Sequence, residues 1–501
     1  MFDKNYGLYI AHGDNGPISL NPKMANRHGL IAGATGTGKT VTLQVIAETL
    51  SQAGVPCFMA DIKGDLSGIA HKGNLSKFIE KRCAEFGLDT PKFSSCPVRF
   101  FDVFGEQGHP MRATISGMGA DLMARLLELN PTQTGILNIV FRIASDENLL
   151  LIDLKDLRSM LDYVAKNSAQ YTTTYGNISS QSIGAIQRAL LALEAQGADK
   201  FFGEPNFNIQ DLIATEGGMG VLSVLAADKL VQSPKVYSTF LMWLLNEIYT
   251  TLPEVGDLDY PKLVFFFDEA HLLFDNAPKA LLDNIERVVR LIRSKGVGIY
   301  FVTQNPIDVP DSILGQLGNR VQHALRAFTP RDQKAVKAAA QTFRANSAFD
   351  TEETLQQLGT GEALVSFLDE KGAPSIVENA KIMFPLSHIG AISVNDRNDI
   401  IKSSLLYGKY DSAIDRESAF EIILAKKQRE AKVAEEKKQE ENKSKSKTSA
   451  SSTTKKRKKS GFWAAVASIA MPILTSMGRS IGREVVKSVT GSSSTTRRRK
   501  K

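Results

Sequence analysis

Short apolar runs alternate along the chain with longer stretches in which apolar residues recur every three to four positions. A short continuous apolar run is typical of a strand buried on both faces, and the longer spacing is typical of an amphipathic helix. The predicted strands are residues 29–32, 56–60, 97–104, 220–225, 263–267, 298–303 and 361–368. The predicted helices begin after residue 40 and also cover residues 121–129, 183–196, 235–250 and 281–293.

The order of these elements predicts an α/β fold with a parallel sheet, because strands and helices alternate along the chain. The long amphipathic stretches after residue 118 interrupt this alternation and predict a helical insertion. We therefore expect a first part of the core at 1–117, the insertion at 118–215 and a second part of the core at 216–390. A helical to disordered charged linker at 391–454 and a basic amphipathic tail at 455–501 would follow.

Basic charge is concentrated at the carboxyl end of the chain. Residues 426–501 hold 22 of the 61 Lys and Arg residues but only 6 of the 54 Asp and Glu residues, so the rest of the chain is mildly acidic. Between two basic clusters, apolar residues from Phe462 to Ile481 recur at helical spacing. The pattern predicts an anionic partner and leaves DNA, a neighbouring subunit and an anionic membrane surface open.

The remaining composition is that of a soluble protein from a reducing compartment. Hydrophobic residues make up 43% of the chain and charged residues 23%. The three cysteines, Cys57, Cys83 and Cys96, form no C-x-x-C pair, which argues against a disulfide framework and a zinc knuckle. The first ten residues lack a long apolar run, so we expect no signal peptide. We expect a cytoplasmic protein, with peripheral attachment to the inner membrane left open.

A glycine-rich segment between the first strand and the first helix matches the pattern G-x-x-x-x-G-K-[ST]. An ordinary glycine-rich turn is the alternative, but the strand before it and the helix after it favour a phosphate-binding loop. In such a loop Lys39 contacts the β- and γ-phosphates of ATP, and the Thr40 hydroxyl binds Mg²⁺. The predicted phosphate-binding residues are Gly33, Ala34, Thr35, Gly36, Thr37, Gly38, Lys39 and Thr40.

The apolar run at 263–267 ends in two acidic residues. An acid at the end of a buried strand predicts that Asp268 is a second Mg²⁺ ligand. The next residue, Glu269, is a candidate general base that polarises the attacking water. The alternative is that the two acids only cap the following helix. Because both motifs occur in the right order, the sequence predicts an ATPase in which Lys39 and Glu269 are catalytic.

The string from Asp268 to His271, D-E-A-H, is also found in superfamily-two helicases, which carry two RecA-like domains in one chain. Only about 115 residues lie between Gln304 and Phe420, beyond which the sequence becomes strongly charged, and these are too few for a second domain of ordinary size. The arginine-rich pattern Q-x-x-G-R-x-x-R is also missing from that part of the sequence. The superfamily-two class is therefore an alternative rather than our prediction.

The sequence L-I-R-S-K-G-V-G-I-Y-F-V-T-Q-N-P at 291–306 resembles the HerA–FtsK family of hexameric DNA-pumping ATPases. The run from the first motif to about Pro385 more closely resembles the bacterial HerA-like helicase C-terminal-domain family, which D-I-K-G-D-L at 61–66, the insertion and the basic tail also support. The resemblance implies a P-loop, RecA-like additional-strand core. It also implies a homo-hexameric ring that moves DNA at the expense of ATP.

The resemblance assigns roles to further residues. Gln304, which ends a strand, would sense the γ-phosphate, and Arg293 would enter the ATP site of a neighbouring subunit. Arg290 and Arg320 are alternatives for the arginine, whose planar charge suits the oxygens of a transferring phosphoryl group. At the end of the second strand, Asp61 and Asp65 would either approach the site or only form a turn.

Two aspects of the function stay open at this point. HerA proper carries a β-barrel before its first motif, whereas 32 residues precede Gly33 here, so a nuclease partner is in doubt. A ring ATPase that acts on protein or at a membrane is the alternative to a DNA motor. A nucleotide switch that does not turn over is disfavoured, because Glu269 and Gln304 suit hydrolysis.

Overall fold

The computed structural model describes residues 2–3, 7–275, 277 and 279–448. Residues 1–427 form one compact unit and residues 428–501 a second, whose described part is helical as far as Thr448. The predicted tail at 455–501 and the end of the predicted linker lie outside the described residues. Within the described ranges, no helix is long and apolar enough to cross a lipid bilayer.

The strands number from β1 to β15 in chain order over the described residues. They are β1 (Phe2–Asp3), β2 (Gly7–Gly13), β3 (Gly16–Leu20), β4 (Gly29–Ala32), β5 (Cys57–Asp61), β6 (Val98–Asp102), β7 (His109–Pro110), β8 (Thr215–Glu216), β9 (Met219–Gly220), β10 (Leu222–Ala226), β11 (Leu263–Phe267), β12 (Val297–Thr303), β13 (Asn319–His323), β14 (Glu362–Ser366) and β15 (Glu378–Ile382).

One large sheet has the order β1-β2-β15-β14-β13-β4-β12-β11-β5-β10-β6-β7, with β3 paired to β2. The pairs from β13 to β7 are parallel, and those from β14 through β15 and β2 to β1 are antiparallel. This arrangement confirms the predicted α/β fold with a parallel core. The prediction of 361–368 as the last core strand was wrong, because β15 follows it. The connection between β14 and β15 is too short for a helical crossover, so the two strands pair antiparallel.

The helices lie on both faces of the sheet and in the insertion. They are α1 (Lys39–Gln52), α2 (Lys77–Phe86), α3 (Ile115–Met118), α4 (Ala120–Leu126), α5 (Pro131–Asp146), α6 (Leu154–Lys166), α7 (Ser168–Tyr175), α8 (Ser180–Glu194), α9 (Pro234–Thr251), α10 (His271–Phe274), α11 (Lys279–Leu291), α12 (Asp311–Leu314), α13 (Pro330–Gln341), α14 (Thr351–Gln357), α15 (Val394–Ser403) and α16 (Ala419–Thr448).

The central strands are buried on both faces, because successive side chains point to opposite sides of a sheet. In β11, Phe265 and Phe267 join the apolar cluster that contains α9, α11 and the insertion. Val264 and Phe266 join the second cluster, under α1. This two-sided burial is why the strand has no polar alternation in its sequence.

The insertion contains helices α3 to α8, which pack into one of these clusters, and side chains cap the starts of α3, α5, α6 and α8. Helix α5 begins where the Asn130 side chain accepts the Gln133 amide at 3.0 Å, while the Gln133 side chain accepts the Asn130 amide at 3.1 Å. Pro131 occupies the first helical position, where no N–H donor is needed. Helix α5 therefore starts at local signals that do not depend on the sheet.

The carboxyl-terminal part of the compact unit packs along the insertion. The buried Tyr410 places its hydroxyl against the Asp211 carboxylate. The Asp156 carboxylate, also buried, accepts the Ser418 hydroxyl at 2.5 Å. Residues 391–427, which the sequence pattern assigned to the charged linker, are therefore part of the compact unit.

His28 makes the stability of the fold depend on pH. The residue is buried before β4, and its Nδ1 accepts the Ile299 amide at 3.0 Å. Burial, with a smaller effect of the Arg293 charge, lowers the pKa of His28 to about 4. As the pH falls below about 6.5, the unfolded chain binds a proton that the folded chain excludes, so stability is lost between about pH 6.5 and pH 4.

We predict that His28 alone costs about 2 kcal/mol of unfolding free energy between pH 6.5 and pH 5. The H28N variant, in which Asn tolerates the positive φ of 59° at this position, should be less stable at pH 7 but less sensitive to acid than the unmodified chain. Urea unfolding at pH 7 and pH 5 measures both effects. H388N, at a half-buried histidine, is the control. An equal acid sensitivity of H28N and the unmodified chain would contradict the prediction.

Candidate active site

The glycine-rich loop joins β4 to α1 at the carboxyl edge of the sheet. Gly33 donates its N–H to the Thr303 carbonyl at 3.3 Å, and Ala34 donates to the Ala324 carbonyl at 2.9 Å. Three of the loop glycines adopt positive φ, at 152°, 77° and 115° for Gly33, Gly36 and Gly38. Since residues other than glycine rarely adopt these φ angles, the loop conformation depends on the glycines of the motif.

Lys39 begins α1 and turns its ammonium back into the loop. Its Nζ donates to the carbonyls of Gly33 at 2.7 Å and Ala34 at 3.0 Å. Burial lowers the pKa of Lys39, although the nearby Glu269 charge opposes that change. A buried ammonium beside the N-terminus of a 14-residue helix is a strong site for an anion.

Asp268 follows β11 directly and is buried, with 2% of its surface exposed. Burial and the charge of Glu269 raise the pKa of Asp268 to about 6. Its Oδ2 has no hydrogen-bond partner among the described residues, which is unusual for a buried carboxylate. The orphaned oxygen, with the Thr40 hydroxyl at the end of the loop, fits a Mg²⁺ site.

The protein alone does not complete such a site. Within the described ranges, no group of three or more His, Cys, Asp or Glu side chains could hold a metal ion. This agrees with the habit of Mg²⁺, which commonly takes one or two protein ligands and fills its octahedron with substrate phosphates and water.

The Glu269 carboxylate is the centre of a polar network. Its Oε1 lies 2.5 Å from the Lys63 ammonium, and its Oε2 accepts Gln304 Nε2 at 3.2 Å. His271 Nδ1 is also 3.2 Å from Oε2 but without hydrogen-bond alignment. Burial alone would raise the pKa of Glu269, but the bonds from Lys63 and Gln304 hold it below its ordinary value. Glu269 is thus a buried, charged base.

Gln304 connects this network to the glycine-rich loop. Its Oε1 accepts the Thr35 hydroxyl at 3.4 Å, while its amide nitrogen donates to Glu269. The residue follows β12, which lies beside β11 in parallel register. The structure therefore brings together the loop, the acidic pair and Gln304 from three separate parts of the sequence.

Asp61 is the last residue of β5, the strand on the other side of β11, and Asp65 lies in the turn that follows. Asp61 accepts the N–H groups of Gly64 at 2.8 Å and Leu66 at 3.2 Å, so its carboxylate closes a turn. Burial and the Asp65 charge raise the pKa of Asp61 to about 7. Of the two roles left open by the sequence, the turn is the one with visible bonds, and this turn carries Lys63.

His323 and Lys63 belong to the site but were not singled out from the sequence. His323 Nε2 bonds the Thr42 hydroxyl at 2.7 Å and its Nδ1 bonds the Glu362 carbonyl at 2.9 Å, while its Cα and Cβ lie against Gly33. Burial lowers the pKa of His323 to about 4. The strand at His323 had no recognised pattern. Lys63, in contrast, follows a predicted strand and could have been found from its position.

The three candidate arginines lie apart from this cluster. Arg293 is exposed in a 3₁₀ turn before β12, the end of that strand opposite Gln304. Arg290 is exposed and paired with Glu286 at 2.7 Å. Arg320 donates to the carbonyls of Leu314, Leu317 and Thr342, at 2.9–3.0 Å, so its guanidinium is held within its own chain.

An open polar cavity of about 480 Å³ adjoins the loop at Thr35 and Gln304. Three carboxylates contribute to its lining, those of Asp275, Asp308 and Asp332. The lining also includes Arg326 and His271, so the cavity combines three carboxylates with one guanidinium.

Comparison with known proteins identifies the family. Residues 8–500 match the family described as helicase HerA-like C-terminal. The chain belongs to this family. The family resemblance predicted from the sequence is therefore confirmed, and the match extends well beyond the residues on which the prediction was based.

Individual relatives of this HerA-like chain are distant. A probable helicase of Methanocaldococcus jannaschii is 32% identical over 138 residues, which are 26% of this chain and 25% of that protein. The DNA double-strand break repair helicase HerA of Sulfurisphaera tokodaii is 24% identical over 362 residues, 70% of this chain and 65% of that protein. The chain thus spans less than two thirds of either relative.

Among solved structures, the plasmid coupling protein TrwB, in complex with the non-hydrolysable GTP analogue GDPNP, is similar at a TM-score of 0.51. The two chains are 13% identical, and the match covers 75% of this chain and 89% of TrwB. At this identity the likeness supports the fold alone, a P-loop core on a mostly parallel sheet.

We predict that G33A loses nucleotide binding by roughly tenfold or more. A Cβ at Gly33 would lie 2.5 Å from the His323 Cβ at a φ that disfavours alanine, so the loop must shift. Fluorescent-nucleotide titration measures the loss. G135A, inside α5 with nothing within 4 Å of the added carbon, is the control and should bind normally. Wild-type affinity in G33A would contradict the loop assignment.

Proposed function

We propose that this HerA-like chain is an ATP-hydrolysing motor subunit that assembles into a ring, a hexamer, and moves DNA. The observation that carries the proposal is the continuous network from Thr35 through Gln304 to Glu269, beside Lys39 and Asp268. A nucleotide-binding loop and a buried general base then belong to one site, which is what hydrolysis requires.

In the proposed reaction, Lys39 and the loop amides bind the β- and γ-phosphates. Thr40 and Asp268 would hold Mg²⁺, which supplies positive charge to the phosphate oxygens. Glu269 orients the attacking water and accepts its proton, and Gln304 reports the γ-phosphate to Glu269 through its two hydrogen bonds. His323 acts indirectly, by supporting the loop from beneath.

DNA as the load is supported by the relatives rather than by the site. The Sulfurisphaera protein is named as a DNA double-strand break repair helicase. The mildly acidic core is not a nucleic-acid surface by composition, so the basic residues 426–501 are the proposed DNA contact. A ring that acts on protein or at an anionic membrane is the alternative, and the next experiment distinguishes protein from DNA as the load.

We predict that K39A abolishes ATP turnover and that E269Q still binds ATP but hydrolyses it roughly 10² times more slowly. The first loses the charge at the phosphates and the second loses the general base. Phosphate release with duplex DNA, single-stranded DNA, RNA or unfolded protein added separately tests both chemistry and load. Normal turnover in E269Q would remove Glu269 from the mechanism, and stimulation by protein but not DNA would contradict the proposed load.

A ring would let Arg293 complete the site of a neighbouring subunit. Arg293 is exposed and lies at the sheet edge opposite its own loop, so it does not serve its own site. The cavity beside the loop at Thr35 and Gln304 holds three carboxylates against the single guanidinium of Arg326, so it would still accept such a residue. Arg320 is a poorer candidate, because its guanidinium already bonds three carbonyls of its own chain.

We predict that R293A binds ATP but hydrolyses it at least roughly 10³ times more slowly, as expected for a trans arginine. Mixing R293A with K39A subunits should restore activity, because some sites combine Lys39 of one chain with Arg293 of another. R290A is the matched control and should keep most activity. Mixtures that co-assemble yet stay as inactive as either parent would rule out the assignment, and a monomer in the presence of ATP would rule out the ring.

A further inference from the structure

Lys63 lies on the turn that Asp61 closes at the end of β5. Its ammonium approaches Glu269 Oε1 to 2.5 Å, yet 45% of the lysine side chain is exposed, against 5% of the glutamate. The ion pair therefore joins a buried base to a group that solvent and ligands can reach.

The carboxylate of Glu269, which the proposed hydrolysis needs, already has a partner at each of its two oxygens. Lys63 takes one oxygen of Glu269 and Gln304 takes the other. A carboxylate held by an ammonium has its orientation fixed by that partner rather than by a water molecule. Glu269 also adopts a positive φ of 46°, which is uncommon for a residue with a side chain and is typical of functional sites.

We propose that Lys63 is a positioning residue that restrains Glu269 in the resting subunit. Lys63 releases Glu269 when a phosphate group replaces the Glu269 carboxylate at the lysine ammonium. The proposal rests on the proposed ATPase function and adds a control to it. Exchange of a carboxylate for a phosphate oxygen never leaves the lysine without an anion, and Glu269 keeps its hydrogen bond from Gln304.

Two sources of phosphate fit this chemistry. The γ-phosphate of the nucleotide is one, because Lys63 lies close enough to Lys39 for their charges to interact. The backbone of a nucleic acid is the other, because the lysine is exposed. In either case Glu269 becomes available only after a ligand has arrived, which prevents idle hydrolysis.

The test is the hydrolysis rate of the full chain without nucleic acid. K63M, which keeps the length of the side chain and removes its charge, should raise kcat roughly fivefold or more, and K63Q should behave alike. K63R should keep the low rate of the unmodified chain. K23M removes a similar ion pair, Lys23 with Asp259 at 3.0 Å, outside the site and should leave kcat unchanged.

Two further measurements identify the phosphate. In the E269Q background, weaker binding of ATP but not ADP on adding K63M supports the γ-phosphate. The nucleic-acid backbone is supported if both nucleotide affinities are unchanged and duplex DNA no longer stimulates the ATPase rate of K63M.

A K63M protein that is folded and binds ATP, but whose kcat without nucleic acid is equal to or below that of the unmodified chain, overturns the proposal. The same result with K63Q would exclude an effect particular to methionine. An unmodified chain with no ATPase activity at all would instead overturn the proposed function, so the two failures are distinguishable.

Discussion

The parallel pairing of four neighbouring strands is the constraint on which the site depends. The strands β4, β12, β11 and β5 lie side by side in one direction, so their carboxyl ends meet at one edge of the sheet. Each of those ends carries one part of the chemistry: the phosphate loop, Gln304, the acidic pair and the Lys63 turn. A slip of one residue in any pairing would turn the corresponding group to the other face.

Because the four ends converge, charges that are far apart in the sequence become close neighbours in a dry environment. Carboxylates at Asp61, Asp268 and Glu269 meet the ammonium groups of Lys39 and Lys63. The raised pKa values of Asp61 and Asp268 show that the carboxylates are not fully compensated by the lysines. Mg²⁺ held at Asp268 would add positive charge beside these buried carboxylates.

Much of the core could be predicted from sequence because its signals are local. The apolar run before Gly33 and the run before Asp268 identify strands buried on both faces, and the first motif identifies the loop. The antiparallel side of the sheet could not be predicted in the same way. The strand Glu378–Ile382 is half polar, since it lies near the edge, and its place depends on pairing with Gly7–Gly13 from the opposite end of the chain.

The site residues also divide into those with a local sequence signal and those placed by long-range pairing. Lys39, Asp268 and Glu269 belong to motifs whose chemistry follows from residue type, and their catalytic roles stay predictions until tested. His323 has no such motif, because it supports Gly33 only through the parallel pairing of β13 with β4. The prediction that residues 391–427 belong to a charged linker was wrong for a related reason. Its polar composition suggested solvent exposure, but Asp156 and Asp211, far back in the sequence, provide buried partners for it.

The difference between fixed and adjustable parts of the site follows from burial. Asp268, Lys39 and His323 are each less than 10% exposed and are held by the sheet or by the loop backbone. Lys63 is exposed and lies on a turn held by hydrogen bonds from two backbone amides to one carboxylate. A regulated site needs a part that a ligand can displace without unfolding the rest, and exposed turns are where such displacement costs least. The charge that a ligand can displace therefore lies on the turn, whereas the residues proposed to act in hydrolysis lie at the ends of the strands.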